Sequence, residues 1–153
     1  MAVDIGASAP LFALQNQHGE SVSLESFRGH KDVVLVFYPF AFSGLCTGEL
    51  RQLRDDFGDL AGETTELLAI SCDPIYSLRA YADRDGYEFS LLSDFWPHGE
   101  VARAYDTFNA ERGCAFRLTV VVDREGIVRW QVQNSMGPAR DPEEYRAAMS
   151  TLR

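Results

Sequence analysis

Cys46 lies in the run Pro39-Phe40-Ala41-Phe42-Ser43-Gly44-Leu45-Cys46-Thr47-Gly48-Glu49, and a thiol in that setting is a candidate nucleophile. The run joins the β-branched stretch Val33 to Phe37 to the helix it feeds. Pro39 has no N–H to donate, so it ends a strand and frees the turn to present side chains. Ser43 is a candidate N-cap, which puts Cys46 in the first turn of the helix. Unpaired amides and the positive end of the helix dipole favour a thiolate there, and the thiolate is the reactive form. Cys46 shares a helical face with Leu50 and Leu53, so its sulfur is expected in a dry, partly buried pocket. Burial alone raises a thiol pKa, so a fixed cation is also needed. Arg117 opens the apolar run Leu118-Thr119-Val120-Val121-Val122, where a strand would hold it rigidly with its side chain turned back toward the site.

Two other cysteines, Cys72 and Cys114, make the count odd, and no C-x-x-C pair is present. That pattern fits free thiols better than a secreted disulfide framework. His18, His30 and His98 stand at no ligand-like spacing to one another or to the cysteines, so no metal site is expected. Cys72 and Cys114 are read as small buried apolar residues, with a conditional disulfide to Cys46 as the open alternative. His98 is read as a turn residue.

The elements that must position Cys46 and Arg117 follow from periodicity. Short strands are expected at Pro10 to Leu14 and Glu20 to Leu24, around the turn Asn16-Gln17-His18-Gly19. Val33 to Phe37 and Leu67 to Ser71 read as strands buried on both faces. A helix is expected from Gly44 to Leu60, with Leu50, Leu53, Phe57 and Leu60 as its apolar stripe and Glu49, Arg51, Arg54, Asp55 and Asp56 on its other faces. A second helix, Ser77 to Asp85, closes at Gly86. A short strand at Ser90 to Leu92 and a brief helix at Glu100 to Tyr105 come next. Arg117 to Asp123 and Ile127 to Gln133 form a hairpin around Arg124-Glu125-Gly126. A last helix starts near Asp141, with Pro142 in its first turn and Glu144 at the capping-box position. The runs Asp55-Asp56 and Asp83-Arg84-Asp85 read as solvated faces. This order predicts an α/β protein with a thioredoxin-like fold, a mixed central β-sheet flanked by helices, in one domain over residues 1–153.

The composition agrees. The chain has 153 residues, 46% hydrophobic and 24% charged, enough for one sizeable core. With 23 acidic against 14 basic residues the formal charge is −9, which argues against nucleic-acid and anionic-membrane partners. No apolar run is long enough to span a bilayer, and the N-terminus carries no secretory pattern. A cytoplasmic location is expected.

The spacing Pro-x-x-x-Ser-x-x-Cys, filled by Pro39, Ser43 and Cys46, resembles the active-site signature of the peroxiredoxins. Gly6-Ala7-x-Ala9-Pro10-x-Phe12, Ala69-Ile70-Ser71, and Val120-Val121-Val122-Asp123 with Gly126-Ile127 agree with it. Leu91-Leu92-Ser93-Asp94-Phe95-Trp96-Pro97-His98-Gly99 is similar to the AhpE-like branch, a one-cysteine type. The resemblance implies that Cys46 is the peroxidatic cysteine, that Arg117 steadies its thiolate and the charge on the departing oxygen, that Ser43 hydrogen-bonds peroxide and sulfur, and that Pro39 shields the intermediate. It implies hydrogen peroxide, organic hydroperoxides and peroxynitrite as substrates, and no cofactor, because sulfur carries the electrons. It also implies an external thiol reductant, either mycothiol with a mycoredoxin or a thioredoxin, and a homodimer or higher homo-oligomer in which Trp96-Pro97 is a candidate contact. Phe40, Phe42 and Leu45 are either a preference for fatty-acid hydroperoxides or core. No resolving cysteine stands five residues after Cys46, where the chain has Arg51. Two other classes remain open. One is a thiol–disulfide oxidoreductase, with Ser43-Gly44-Leu45-Cys46 where a thioredoxin carries Cys-x-x-Cys; the other is a non-enzymatic interaction protein on the same scaffold.

Overall fold

The computed structural model describes residues 3–55, 64–134, 143–144 and 147–148. Its elements are β1 (Ala13–Gln15), β2 (Ser21–Ser23), β3 (Asp32–Phe37), α1 (Gly44–Asp55), β4 (Thr65–Ser71), α2 (Ile75–Asp85), β5 (Ser90–Ser93), α3 (Glu100–Ala104), β6 (Phe108–Asn109), β7 (Cys114–Ala115), β8 (Arg117–Val122) and β9 (Val128–Asn134). Seven strands form one sheet in the order β2-β1-β5-β4-β3-β8-β9, and β6 pairs with β7 in a separate small hairpin. β4 runs parallel to both β3 and β5, while β8 runs antiparallel to β3 and to β9. The sheet is therefore mixed, as expected for the thioredoxin-like order.

β3 is buried at all six positions, and its side chains alternate between two cores. Val34, Val36 and Tyr38 pack with Leu50 and Leu53 of α1 and Leu78 and Tyr81 of α2. Val33, Leu35 and Phe37 pack on the other face with Val101 and Ala102 of α3 and with Tyr105. Helices thus cover both faces. No helix among the described residues is long and apolar enough to cross a membrane.

Several boundaries differ from expectation. The first strand sits at Ala13–Gln15 rather than Pro10 to Leu14, since Pro10 lacks a ladder donor and its carbonyl instead accepts the Tyr105 hydroxyl at 2.7 Å. Leu24 to Phe27 is a 3-10 turn, not a strand end. α2 starts at Ile75, because Pro74 stands at its N-cap. The β6–β7 hairpin had no periodic signal, each of its strands being two residues long. Asp56, Phe57, Leu60, Asp141 and Pro142 lie outside the described residues; Glu144 and Ala148 are helical, and Ala148 is buried against the α1 side of the core.

Candidate active site

The segment between β3 and α1 is held from outside itself. Tyr38 continues the β3 ladder by donating its N–H to the Ile70 carbonyl at 3.0 Å. The chain then turns at half-buried Pro39, and the Ala41 N–H donates to Asp73 Oδ2 at 2.8 Å. Phe42 takes a left-handed φ of 70°, a conformation that costs a non-glycine residue about 1–3 kcal/mol. Its ring stacks on Tyr81 at 4.8 Å, with the Arg84 guanidinium 4.8 Å above it. Packing and the Asp73 bond together fix the strained turn. The Ser43 carbonyl accepts the Thr47 N–H at 2.8 Å, so Ser43 stands at the helix N-cap as expected. Cys46 is the third residue of α1 and only 2% exposed. The amides ahead of Thr47 belong to the unpaired first turn of the helix.

Cys46 sits in the core shared by Val34, Val36, Tyr38, Leu50 and Tyr81. The Tyr81 hydroxyl donates to Thr47 Oγ1 at 3.0 Å, tying α2 to the first turn of α1. Arg117 opens β8 and is 3% exposed. Its guanidinium forks onto Glu49, with Nε donating to Oε1 at 3.1 Å and Nη2 to Oε2 at 2.7 Å. Glu49 is itself 4% exposed. The expectation that it faces solvent is corrected. It belongs to the same stripe as Cys46, Leu50 and Leu53, three residues after the cysteine, and that spacing was the signal available. A two-bond fork satisfies both buried charges, which neither would survive alone. β8 is thereby anchored to α1 one turn beyond Cys46.

Asp85 is a second correction. It was read as part of a solvated run, yet its side chain is 2% exposed and takes Arg51 Nη2 and Arg84 Nη2, each at 2.8 Å. The Tyr87 hydroxyl donates to it at 3.1 Å. The Arg84 bond, then Arg51, hold its carboxyl well below the usual range against the opposing effect of burial. Asp83 is exposed, as expected.

Cys72 and Cys114 are buried free thiols. Burial, reinforced by Asp94, Cys114 and Asp73, pushes the Cys72 thiol up to about 12. Burial also raises the Cys114 thiol, with Arg112 pulling it back and Cys46 adding to the rise. Such thiols are poor nucleophiles at neutral pH. His98 bridges two carbonyls, Phe95 at 3.0 Å and Gly113 at 2.7 Å, which suits a turn residue. Among the described residues no three His, Cys, Asp or Glu side chains cluster as a metal site. Around the cysteine, Phe42 and Leu45 are 44% and 39% exposed, and the Arg112 guanidinium lies 5.3 Å from the Phe40 ring.

A profile of the AhpC/TSA family matches residues 5–131. Alkyl hydroperoxide reductase E of Mycobacterium tuberculosis is 44% identical over 150 residues, covering 98% of each chain. Among solved structures, peroxidoxin BcpB of Mycobacterium tuberculosis superposes with a TM-score of 0.88 at 25% identity over 99% of both chains. The mitochondrial 2-Cys peroxiredoxin of Plasmodium falciparum gives 0.86 at 28% identity, covering 97% of this chain and 94% of the other.

Proposed function

The chain is a peroxiredoxin of the AhpC/TSA family, a thiol peroxidase, and on that premise we propose that Cys46 carries its peroxide reduction. The observation that supports this most directly is a buried thiol in the first turn of α1, one turn from a buried Arg117–Glu49 fork. The helix amides and the guanidinium favour the anionic sulfur. That sulfur attacks the terminal oxygen of a hydroperoxide; an S–O bond forms as the O–O bond breaks, and the alcohol leaves. Arg117 and the first-turn amides meet the charge that develops on the separating oxygens, which is electrostatic stabilisation of the oxyanion-hole kind. Ser43 hydrogen-bonds the peroxide, and Pro39 keeps water from the sulfenic acid.

Hydrogen peroxide, organic hydroperoxides and peroxynitrite are the substrates we assign. The alkyl hydroperoxides are supported by the name of the Mycobacterium tuberculosis relative, alkyl hydroperoxide reductase E, and by the apolar Phe42 and Leu45 beside the site. An outside thiol, mycothiol with mycoredoxin or a thioredoxin, returns the sulfenic acid to thiol in the cytoplasm. A homodimer is supported by the exposed aromatics Tyr76, Phe95 and Trp96; a monomer in concentrated sedimentation runs would remove it.

The test is the intact mass of reduced protein after one equivalent of hydrogen peroxide, with Cys46→Ser alongside. Gain of one oxygen, absent in the variant, is expected. Loss of two hydrogens would instead bring Cys72 or Cys114 in as a resolving thiol, and an unchanged mass would overturn the assignment.

A further inference from the structure

Cys46 stands in a part of α1 with little backbone support of its own. The Thr47 N–H closes the first bond of the helix, on the Ser43 carbonyl at 2.8 Å, so Cys46 lies in the turn that a helix most readily frays. Ahead of it the chain passes through the left-handed Phe42. One side chain of α2 spans both weak points. The Tyr81 ring lies 4.8 Å from the Phe42 ring, before the cysteine, and its hydroxyl donates to Thr47 Oγ1, just after it, at 3.0 Å. Tyr81 is fully buried and is itself held from behind. The Tyr87 ring meets it edge-on at 5.1 Å, and the Tyr87 hydroxyl donates to Asp85 at 3.1 Å. Asp85 also takes Arg51 of α1, so the clamp returns to the helix it starts from. Burial raises the Tyr81 phenol against the opposing bond to Thr47, which keeps its proton in place as a donor.

We propose that Tyr81 is a positioning residue for peroxide reduction, fixing the turn that carries Cys46 through the Thr47 hydroxyl on one side and the Phe42 ring on the other. The proposal rests on the reading of Cys46 as the attacking thiol. Tyr81 takes no part in the bond changes. Attack requires sulfur and oxygen held close and aligned, and a frayed first turn would also scatter the amides that favour the thiolate. Phe42 is steadied by packing alone, whereas Thr47 is steadied by a directional bond, so the hydroxyl is the part of Tyr81 that a substitution can isolate.

Tyr81→Phe keeps the ring on Phe42 and removes only that bond. Its second-order rate constant with hydrogen peroxide, measured by stopped flow per titrated thiol, is expected to fall roughly tenfold, short of the loss of about a hundredfold that a misplacement of about 1 Å brings. Thr47→Val keeps the shape without the hydroxyl and should lose as much. Thr47→Ser keeps the hydroxyl and should retain the rate. The double variant of Tyr81→Phe with Thr47→Val should be no slower than either single, because both remove the same bond. A normal rate in Tyr81→Phe or in Thr47→Val, whatever the change in melting temperature, would overturn the proposal. Losses that multiply in the double variant would overturn it too, as would a Thr47→Ser as slow as Thr47→Val. Cys46→Ser separates the two readings: retained turnover in that variant removes the Cys46 assignment, whereas a dead Cys46→Ser beside a normal Tyr81→Phe removes the Tyr81 role alone.

Discussion

The Arg117–Glu49 fork places two opposite charges in a nearly dry interior, 3% and 4% exposed at their side chains. Deleting one partner breaks a buried ion pair, and the usual cost of that is about 3–5 kcal/mol. Arg117→Ala is therefore expected to lower the urea midpoint by that order and to slow peroxide reduction severely. Arg117→Lys keeps a charge but loses the planar fork, so it should recover part of the stability and little of the rate. If Arg117→Ala reacted with peroxide at the normal rate, a different cation would serve the thiolate. Glu49 is the residue whose importance the sequence concealed. A glutamate two residues ahead of an arginine on a helix reads as solvent-facing, and only its place in the Cys46-Leu50-Leu53 stripe argued otherwise. Pro39, Ser43, Cys46 and Arg117 drew attention in the sequence because each sits at or near an element boundary, where residue type carries local meaning.

At the scale of elements, the turn into α1 depends on a residue of another loop. Asp73, between β4 and α2, accepts the Ala41 N–H, and its own carbonyl accepts the Ser93 hydroxyl at 2.6 Å. Asp73→Ala should cost about 1–3 kcal/mol, the penalty for a half-buried amide left without its charged acceptor. It should also slow the reaction, because the left-handed Phe42 loses one of its restraints; rates and denaturation midpoints measured on the same preparation would check both. Gly86 offers a contrast. It ends α2 at φ 71°, and an added Cβ would meet nothing within 4 Å, so only backbone strain opposes Gly86→Ala. A loss of roughly 1–2 kcal/mol is expected there, with peroxide kinetics unchanged. Strands and helices with several apolar periods were readable to within a few residues. The 3-10 turn at Leu24–Phe27 and the β6–β7 hairpin were not, because they are set by tertiary contacts rather than by a repeat.

For the whole molecule, the −9 charge conceals two buried carboxylates of opposite behaviour. Asp85 is held low chiefly by Arg84, so its contribution to stability is present above the ordinary carboxylate pKa of about 4 and is lost as pH falls below it. Asp94 is raised by burial, against the Val101 and Ala102 amides that donate to it; its contribution is present at low pH and is lost as pH rises through its folded value. The urea midpoint should therefore drop as pH is lowered beneath about 4, and Asp85→Asn should flatten that drop while lowering the plateau. An equally steep acid limb in the variant would mean that other carboxylates dominate. The Arg117–Glu49 fork also has a consequence in time. Its partners are 68 residues apart, and β8 must insert beside β3 before they meet. At about 5–20 residues per second of synthesis, Cys46 and Glu49 leave the ribosome several seconds ahead of Arg117. On the proposed role of Cys46, its site is complete only when the polypeptide is long enough to close its own sheet.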